Sequence, residues 1–444
     1  MSTVLVHRNP DSVRVAPKWA AGRATFPLQA NRAPAALSPL DCTWPTTYDR
    51  TWTTTYIGDT VQPNPGGTID PSDIVGRDPI IEGAIERLRS GQNLLLTDPR
   101  RMGKTCLLDR LIHLVDHPLT AVKINYEGVV STEEFLARTA VALRGHDSFG
   151  GRVGKRVRAF LDDSAVEVGP LKLAAGFRDR DPVDLLSDML SRVDGGLEDE
   201  ESLILALDEV PLAIQSIAAH DSPAEAVRLL QILRRLRSET RHLRWIVTGS
   251  IGFHHVLREV GTTTGAINDL SALTLGPLEK DSAAHLAAAL MYGIGHDPDD
   301  AVVAALVEHS GGIPYLLHQL ATMIQQSTGT SPPDVETVAR AWSDFVDDRD
   351  ASRAVLHFLT RIGTDFYRDT AETAAAVLDR IATGGPVTFD ELLRAELTGL
   401  SRDGALLLAD SLVDDHYLAE DATGFHWRYE VLRRIWIRHR RLSP

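Results

Sequence analysis

Short apolar runs of four or five residues recur through the middle of the chain and alternate with longer amphipathic segments. Residues 93–97 (NLLLT), 121–125 (AVKIN), 203–207 (LILAL) and 244–248 (RWIVT) read as buried strands. The segment from Thr105 onward carries Leu107, Leu108, Leu111, Ile112 and Val115 on one helical face. Strands separated by helices predict an α/β fold, a parallel sheet covered on both sides. From Glu279 to about Phe345 the strands stop, and helical patterns at 282–291, 300–308 and 315–326 predict a small helical domain. From about Ala351 the pattern predicts a long helix, a second over 388–396, a third over 401–415, a strand pair around 417–419 and 425–429, and a last helix. Three helices followed by a two-stranded ribbon is the outline of a winged helix.

Residues 1–70 break this texture. They are dense in Pro, Thr, Ser, Asn and Gly with no sustained period, as at Asn64-Pro65-Gly66-Gly67, which predicts a disordered segment. Trp44, Tyr48, Trp52 and Tyr56 fall there at four-residue spacing. They read either as a docking stripe or as scattered aromatics; Pro45 and the surrounding threonines disfavour a helix. With 444 residues the chain exceeds what one core serves, and the domains are set at 71–278 (core), 279–345 (lid) and 351–444 (winged helix).

Composition narrows the function. No stretch approaches the roughly 18 to 20 apolar residues of a membrane span, and the start has no signal-peptide pattern, so a cytoplasmic location is expected. Cys42 and Cys106 are the two cysteines, in segments of very different character and with no second thiol at metal-ligand spacing, so neither a disulfide framework nor a zinc site is indicated. A formal net charge of −15 repels a phosphate backbone, so nucleic-acid binding starts disfavoured.

Chemistry concentrates at two places. Asp98-Pro99-Arg100-Arg101-Met102-Gly103-Lys104-Thr105 follows a predicted strand and opens a predicted helix, the setting a phosphate-binding loop requires. There the backbone N–H groups and helix N-terminus face the phosphates of ATP, Lys104 reaches the β and γ phosphates, and the Thr105 hydroxyl ligates Mg2+. Gly103 lets the backbone approach closely. The pattern G-x-x-x-x-G-K-[ST] wants glycine where this chain has Asp98, whose carboxylate is expected to sit near phosphate charge and to weaken binding or slow turnover. The second place is Leu203 to Glu209, an apolar strand ending in two carboxylates: Asp208 to hold the metal, Glu209 to orient and deprotonate a water. Alone, that strand would read as one ending in a solvated acidic turn; the preceding loop makes it a site.

Several segments together resemble the archaeal-type ATPases, relatives of the STAND and AAA+ proteins. They are Ile74-Val75-Gly76-Arg77-Asp78, the loop 99–105, Leu207-Asp208-Glu209-Val210-Pro211, Thr248-Gly249-Ser250 and Gly311-Gly312-Ile313-Pro314. The resemblance spans about residues 72–323 and, more loosely, the C-terminal part. It implies a five-stranded parallel sheet of P-loop NTPase type, a helical lid and a C-terminal winged helix. It also implies that Val75, Gly76 and Arg77 pack near adenine, that Pro314 touches the base from the lid, and that Ser250, or alternatively Thr248, senses the γ-phosphate. Arg100 and Arg101 read equally as phosphate ligands or as partners of surface carboxylates. Cys106 reads as a buried small residue, or as a thiol whose alkylation blocks nucleotide. Arg241 and Arg244 are candidate arginine fingers, against the plainer reading of exposed arginines near a strand end. The acidic helix 401–415 has the wrong sign for DNA, and the arginines of the last helix are expected to pair with the acidic body. The expected activity is that of an Mg2+-dependent ATPase working as a nucleotide-driven switch on a protein partner or on further copies of the chain; the alternatives are a non-hydrolysing, nucleotide-stabilised scaffold for a protein partner and a DNA-binding regulator acting through the winged helix.

Overall fold

The computed structural model describes residues 60–444, apart from 147, 164–179, 298, 330, 349–351, 354, 357–358, 360, 364–366, 368–369, 398 and 444. The aromatic series Trp44, Tyr48, Trp52 and Tyr56 lies outside the described residues, as does Cys42.

The first half builds a parallel sheet. Strands β1 (Asn93–Leu96), β2 (Leu119–Asn125), β3 (Ser202–Asp208), β4 (Leu243–Thr248) and β5 (Leu270–Ala272) lie in the order β2-β3-β4-β1-β5. The register pairs Leu94 with Ile246, Leu205 with Trp245 and Val122 with Leu205. The period of two in each strand divides the apolar side chains between two cores. Leu94, Leu96, Ala121, Ile204, Ala206 and Ile246 face one side, under α1 (Asp78–Arg89) and α2 (Lys104–Leu114). Val122, Ile124, Leu203, Leu205, Leu207 and Trp245 face the other. That side is covered by α3 (Thr132–Arg144), α4 (Ser148–Asp163), α5 (Pro182–Asp194), α6 (Val210–His220), α7 (Pro223–Glu239) and α8 (Phe253–Glu259). Burial on both faces is why these strands read as continuous apolar runs. The short β5 (LSA, half-buried to exposed) has no apolar run to announce it.

Over the residues expected to form the lid lie four helices, α9 (Lys280–Gly293), α10 (Asp300–Ser310), α11 (Pro314–Thr328) and α12 (Val335–Asp347), around a core of their own. Gly311 and Gly312 both take positive φ, 58° and 72°, and break α10 from α11; Pro314 then opens α11, where a missing N–H costs nothing. Within the segment expected to be loose, residues from 60 onward are held. Val61 is buried in the lid core and donates its N–H to the Ala289 carbonyl at 3.0 Å, and Asn64 donates to Nδ1 of His318 at 3.1 Å. Gln62 Nε2 also donates to the Gly293 carbonyl at 2.7 Å; one buried apolar residue and a few scattered hydrogen bonds are too little to register as a period.

The C-terminal part contains α13 (Ala371–Gly384), α14 (Phe389–Arg394), α15 (Arg402–Asp414), the antiparallel pair β6 (Leu418–Asp421) and β7 (Gly424–Trp427), and α16 (Glu430–Arg440). Where a long helix is expected from about Ala351, the described residues Ser352, Arg353, Val355, Leu356 and Leu359 are helical; a 3-10 turn at Arg361–Gly363 then stands between them and α13, which starts at Ala371. Apolar residues of this part join those on the α1 and α2 side of the sheet in one contiguous cluster. Arg433 and Arg434 bond Glu430, Arg438 bonds Asp347 and Arg440 bonds Asp379. These basic side chains are therefore paired within the chain.

Candidate active site

The loop between β1 and α2 turns through Arg101 (φ 74°) and Gly103 (φ 93°), which aims the first turn of α2 at the carboxyl edge of the sheet. Gly103 is the N-cap and makes no side-chain cap bond, so backbone N–H groups at this helix start are left to a ligand. Lys104, 8% exposed, folds its ammonium back onto the main-chain oxygens of Asp98 and Pro99. Desolvation lowers its pKa to about 8, against the pull of Asp98, Glu209 and Asp208.

Beside it, Thr105 Oγ1 donates to Asp208 Oδ2 at 3.2 Å, and burial together with Glu209 raises the Asp208 carboxyl. Two oxygens at that spacing, one of them on a carboxylate, suit a hard octahedral cation with oxygen ligands about 2.1 Å away, so Mg2+ fits these residues. Glu209 takes a left-handed backbone (φ 60°) as it caps α6. That turn sends its carboxylate to Ser250, whose N–H and hydroxyl both donate to Glu209 Oε2 at 2.9 Å. Arg100 reaches the same hydroxyl at 3.1 Å. Lys104, Thr105, Asp208, Glu209 and Ser250, drawn from three separate parts of the chain, thus meet at the ends of β1, β3 and β4.

Other expected ligands are placed differently. Asp98 does not face the helix start: its carboxylate is 1% exposed and accepts the N–H groups of Leu275 at 2.8 Å and Gly276 at 3.0 Å. Arg77 is buried as well, bonding the carbonyls of Leu275, Met102 and Gly276, and desolvation lowers its pKa to about 10 with Asp98 acting against the fall. Asp98 and Arg77 together fasten the phosphate loop to the segment after β5, and neither charge is offered to a ligand. Gly76 is required where it stands, because a Cβ there would lie 2.3 Å from Ser282 Cβ in the lid; Val75 packs on the lid core. Arg101 lies over the Tyr315 ring, 4.9 Å from its centre, next to half-buried Pro314.

Met102 and Pro99 are buried structural members of the loop. Cys106 is half-buried and burial raises its thiol pKa, which makes it a poor thiolate and argues against ready alkylation. Thr248 is fully buried and its hydroxyl has no hydrogen-bond partner. Arg241 and Arg244 sit at the amino end of β4, opposite the loop, bonded to Asp199 and to the Leu88 carbonyl.

Contacts from the C-terminal part escaped sequence reasoning. His416 bonds the Thr97 carbonyl through Nε2 at 2.9 Å, and Arg361 donates to the Ser250 carbonyl at 2.6 Å. Nothing in local sequence brings position 416 to position 97; the signal is one of packing alone.

No family model and no curated protein matches this chain. Among solved structures it is similar to the Walker-type ATPase of Pyrococcus abyssi, with a TM-score of 0.53, 16% identity, and coverage of 82% of this chain and 96% of that one. The ORC2 protein of Aeropyrum pernix aligns at a TM-score of 0.46 and 12% identity, over 82% and 93% of the two chains. The Thermotoga maritima RuvB Holliday junction branch migration motor aligns at 0.38 and 11%, over 84% and 97%. With its five parallel strands and the phosphate loop between β1 and α2, the chain shares the fold of the Walker-type P-loop ATPases.

Proposed function

We propose that this chain binds ATP with Mg2+ and hydrolyses it slowly as a nucleotide-driven switch. The observation that carries the reading is the convergence of Lys104, Thr105, Asp208, Glu209 and Ser250 at one sheet edge. Binding requires Lys104 to leave the loop carbonyls for phosphate oxygens; those carbonyls keep it solvated meanwhile, so the exchange replaces one set of bonds by another. Thr105 and Asp208 are the Mg2+ ligands, and the ion when bound neutralises charge on the phosphates. Glu209 is the base that orients and deprotonates water. In the structure its carboxylate is held by Ser250, so Ser250 both restrains Glu209 and, when it turns away, becomes the polar contact for the γ-phosphate. By this reading Val75, Gly76 and Pro314 lie against the adenine base.

The switch follows from what leans on the site. Arg361 holds the Ser250 carbonyl and His416 the Thr97 carbonyl, so a change at Ser250 is felt by the C-terminal part, which we read as a winged helix. A protein partner or another copy of the chain is the reader of that movement. Pairing of the α16 arginines and the net charge of −15 weigh against duplex DNA in that role.

The test is Mg2+-dependent ATP hydrolysis by the full chain, beside Lys104→Ala and Glu209→Gln, with nucleotide binding followed by thermal shift. Turnover should fall by about 100-fold or more in both variants, with binding lost in Lys104→Ala and kept in Glu209→Gln. Binding without turnover in the unaltered protein would replace the enzyme by a nucleotide-stabilised scaffold. Absence of binding would overturn the reading altogether.

A further inference from the structure

Four residues beyond Ser250 the chain presents two adjacent histidines, His254 and His255, at the start of α8. Asp415, just after α15 in the C-terminal part, reaches them both. Its Oδ2 lies 2.5 Å from His255 Nε2 and its Oδ1 lies 3.6 Å from His254 Nε2. The three ligand-type atoms lie within 4.8 Å of one another. All three side chains are at most 15% exposed.

Three features distinguish this cluster from an ordinary ion pair. The Nε2 atom of His254 is buried yet makes no hydrogen bond, a costly arrangement for a polar atom. Room for the cluster is provided by Gly252: a Cβ there would lie 2.5 Å from His254 Cε1 and 2.9 Å from Asp415 Oδ1. The Tyr367 hydroxyl donates to Asp415 Oδ2 at 2.7 Å, the kind of outer bond that orients a ligating carboxylate.

We propose that His254, His255 and Asp415 form a binding site for a zinc-class divalent transition metal that clamps the C-terminal part to the ATPase core. Two imidazoles and a carboxylate suit Zn2+ or Co2+ and not the Mg2+ of the nucleotide site. Tetrahedral bonds of about 2.1 Å put ligand atoms about 3.4 Å apart. The His254 to Asp415 separation already meets this, and the His255 to Asp415 contact opens by about 1 Å, within reach of a carboxylate rotation. Water supplies the fourth ligand. Such an ion would bridge α8, which follows Ser250 directly, to the turn carrying His416, and so would hold the C-terminal part against the site.

The full-length, tag-free protein, freed of metal with a chelator and kept without nucleotide, is titrated with Co2+ and then Zn2+. One equivalent of Co2+ should bind with the intense visible absorption of a tetrahedral site, Zn2+ should displace it, and the melting temperature should rise with either ion. His254→Gln and Asp415→Asn should each weaken binding by about 100-fold, and Tyr367→Phe, which keeps all three ligands, by about 10-fold. Lys104→Ala should bind the metal unchanged, which separates this site from the nucleotide site. If Co2+ gives no such spectrum, or binds equally well to the His254→Gln and Asp415→Asn proteins, the proposal is wrong. Should His254→Gln fail to fold, Tyr367→Phe decides: unchanged affinity would count against the site.

Discussion

Asp98 stands where phosphate-binding loops of the G-x-x-x-x-G-K-[ST] pattern carry glycine, and its sequence position suggests a carboxylate set against phosphate. Its side chain instead turns away, accepts two backbone N–H groups after β5 and faces the buried guanidinium of Arg77. Restoring glycine at this position would therefore remove a structural tie, leaving Arg77 buried without its counter-charge. Asp98→Gly should destabilise the protein by about 1–3 kcal/mol for each buried N–H left without its acceptor, the usual cost of an unsatisfied buried donor. Denaturant unfolding of the two proteins measures it, with ATP turnover alongside. A variant as stable as the parent but faster in turnover would return Asp98 to the phosphates. The residue-scale lesson is general to this site: identity showed which residues have the chemistry, while the direction of each side chain was set by partners distant in sequence. That Lys104, Thr105, Asp208 and Glu209 come together was legible because a strand end and a helix start fix their backbones. The partners of the Arg77 guanidinium, the carbonyls of Leu275 and Gly276, lie nearly two hundred residues away, where local sequence does not announce them.

At the scale of elements, periodicity located four of the five strands, since a strand buried on both faces must be apolar throughout. It missed β5, three residues long at the sheet edge, where one side of the ladder is open and apolar residues are not demanded. It also carried the loose N-terminal segment too far. Residues 60–68 dock on the lid through a few specific contacts, among them the Asn64 N–H bond to Nδ1 of His318, and isolated contacts leave no period. That bond has a pH consequence. Desolvation lowers His318 from 6.5 to about 4, so the folded protein keeps the ring neutral while the unfolded chain protonates first. The stability from this residue is complete above the unfolded value and is lost as pH falls from there toward about 4, with a slope of at most about 1.4 kcal/mol per pH unit. Protonation also places a hydrogen on the nitrogen that accepts from Asn64. Denaturant unfolding of the parent and of His318→Gln at mildly acidic and neutral pH should show the acid loss reduced in the variant; equal losses would mean that His318 is solvated and titrates normally.

At the scale of the molecule, the C-terminal part rests on the edge of the sheet where Lys104, Thr105, Asp208, Glu209 and Ser250 meet. The path is short: Arg361 donates to the Ser250 carbonyl at 2.6 Å, and the N–H and hydroxyl of that same serine hold Glu209 at 2.9 Å. Arg361 is itself largely desolvated, which lowers its pKa and makes each acceptor it finds there matter more. If this contact is a restraint on the base, removing it should favour the arrangement in which Glu209 is free. A hydrogen bond from a charged donor contributes about 1.5–3 kcal/mol, which corresponds to a shift of about 10- to 100-fold in the balance between docked and released states. Arg361→Ala should accordingly raise ATP turnover several-fold, with nucleotide affinity moving less, and should make the C-terminal part easier to cleave by protease in the absence of nucleotide. The sign of the turnover change discriminates. A rise places Arg361 among the restraints of a switch. A fall of comparable size, with protease resistance unchanged, would place its guanidinium in the catalytic machinery itself, supplied by the C-terminal part in the manner of an arginine finger acting within one chain.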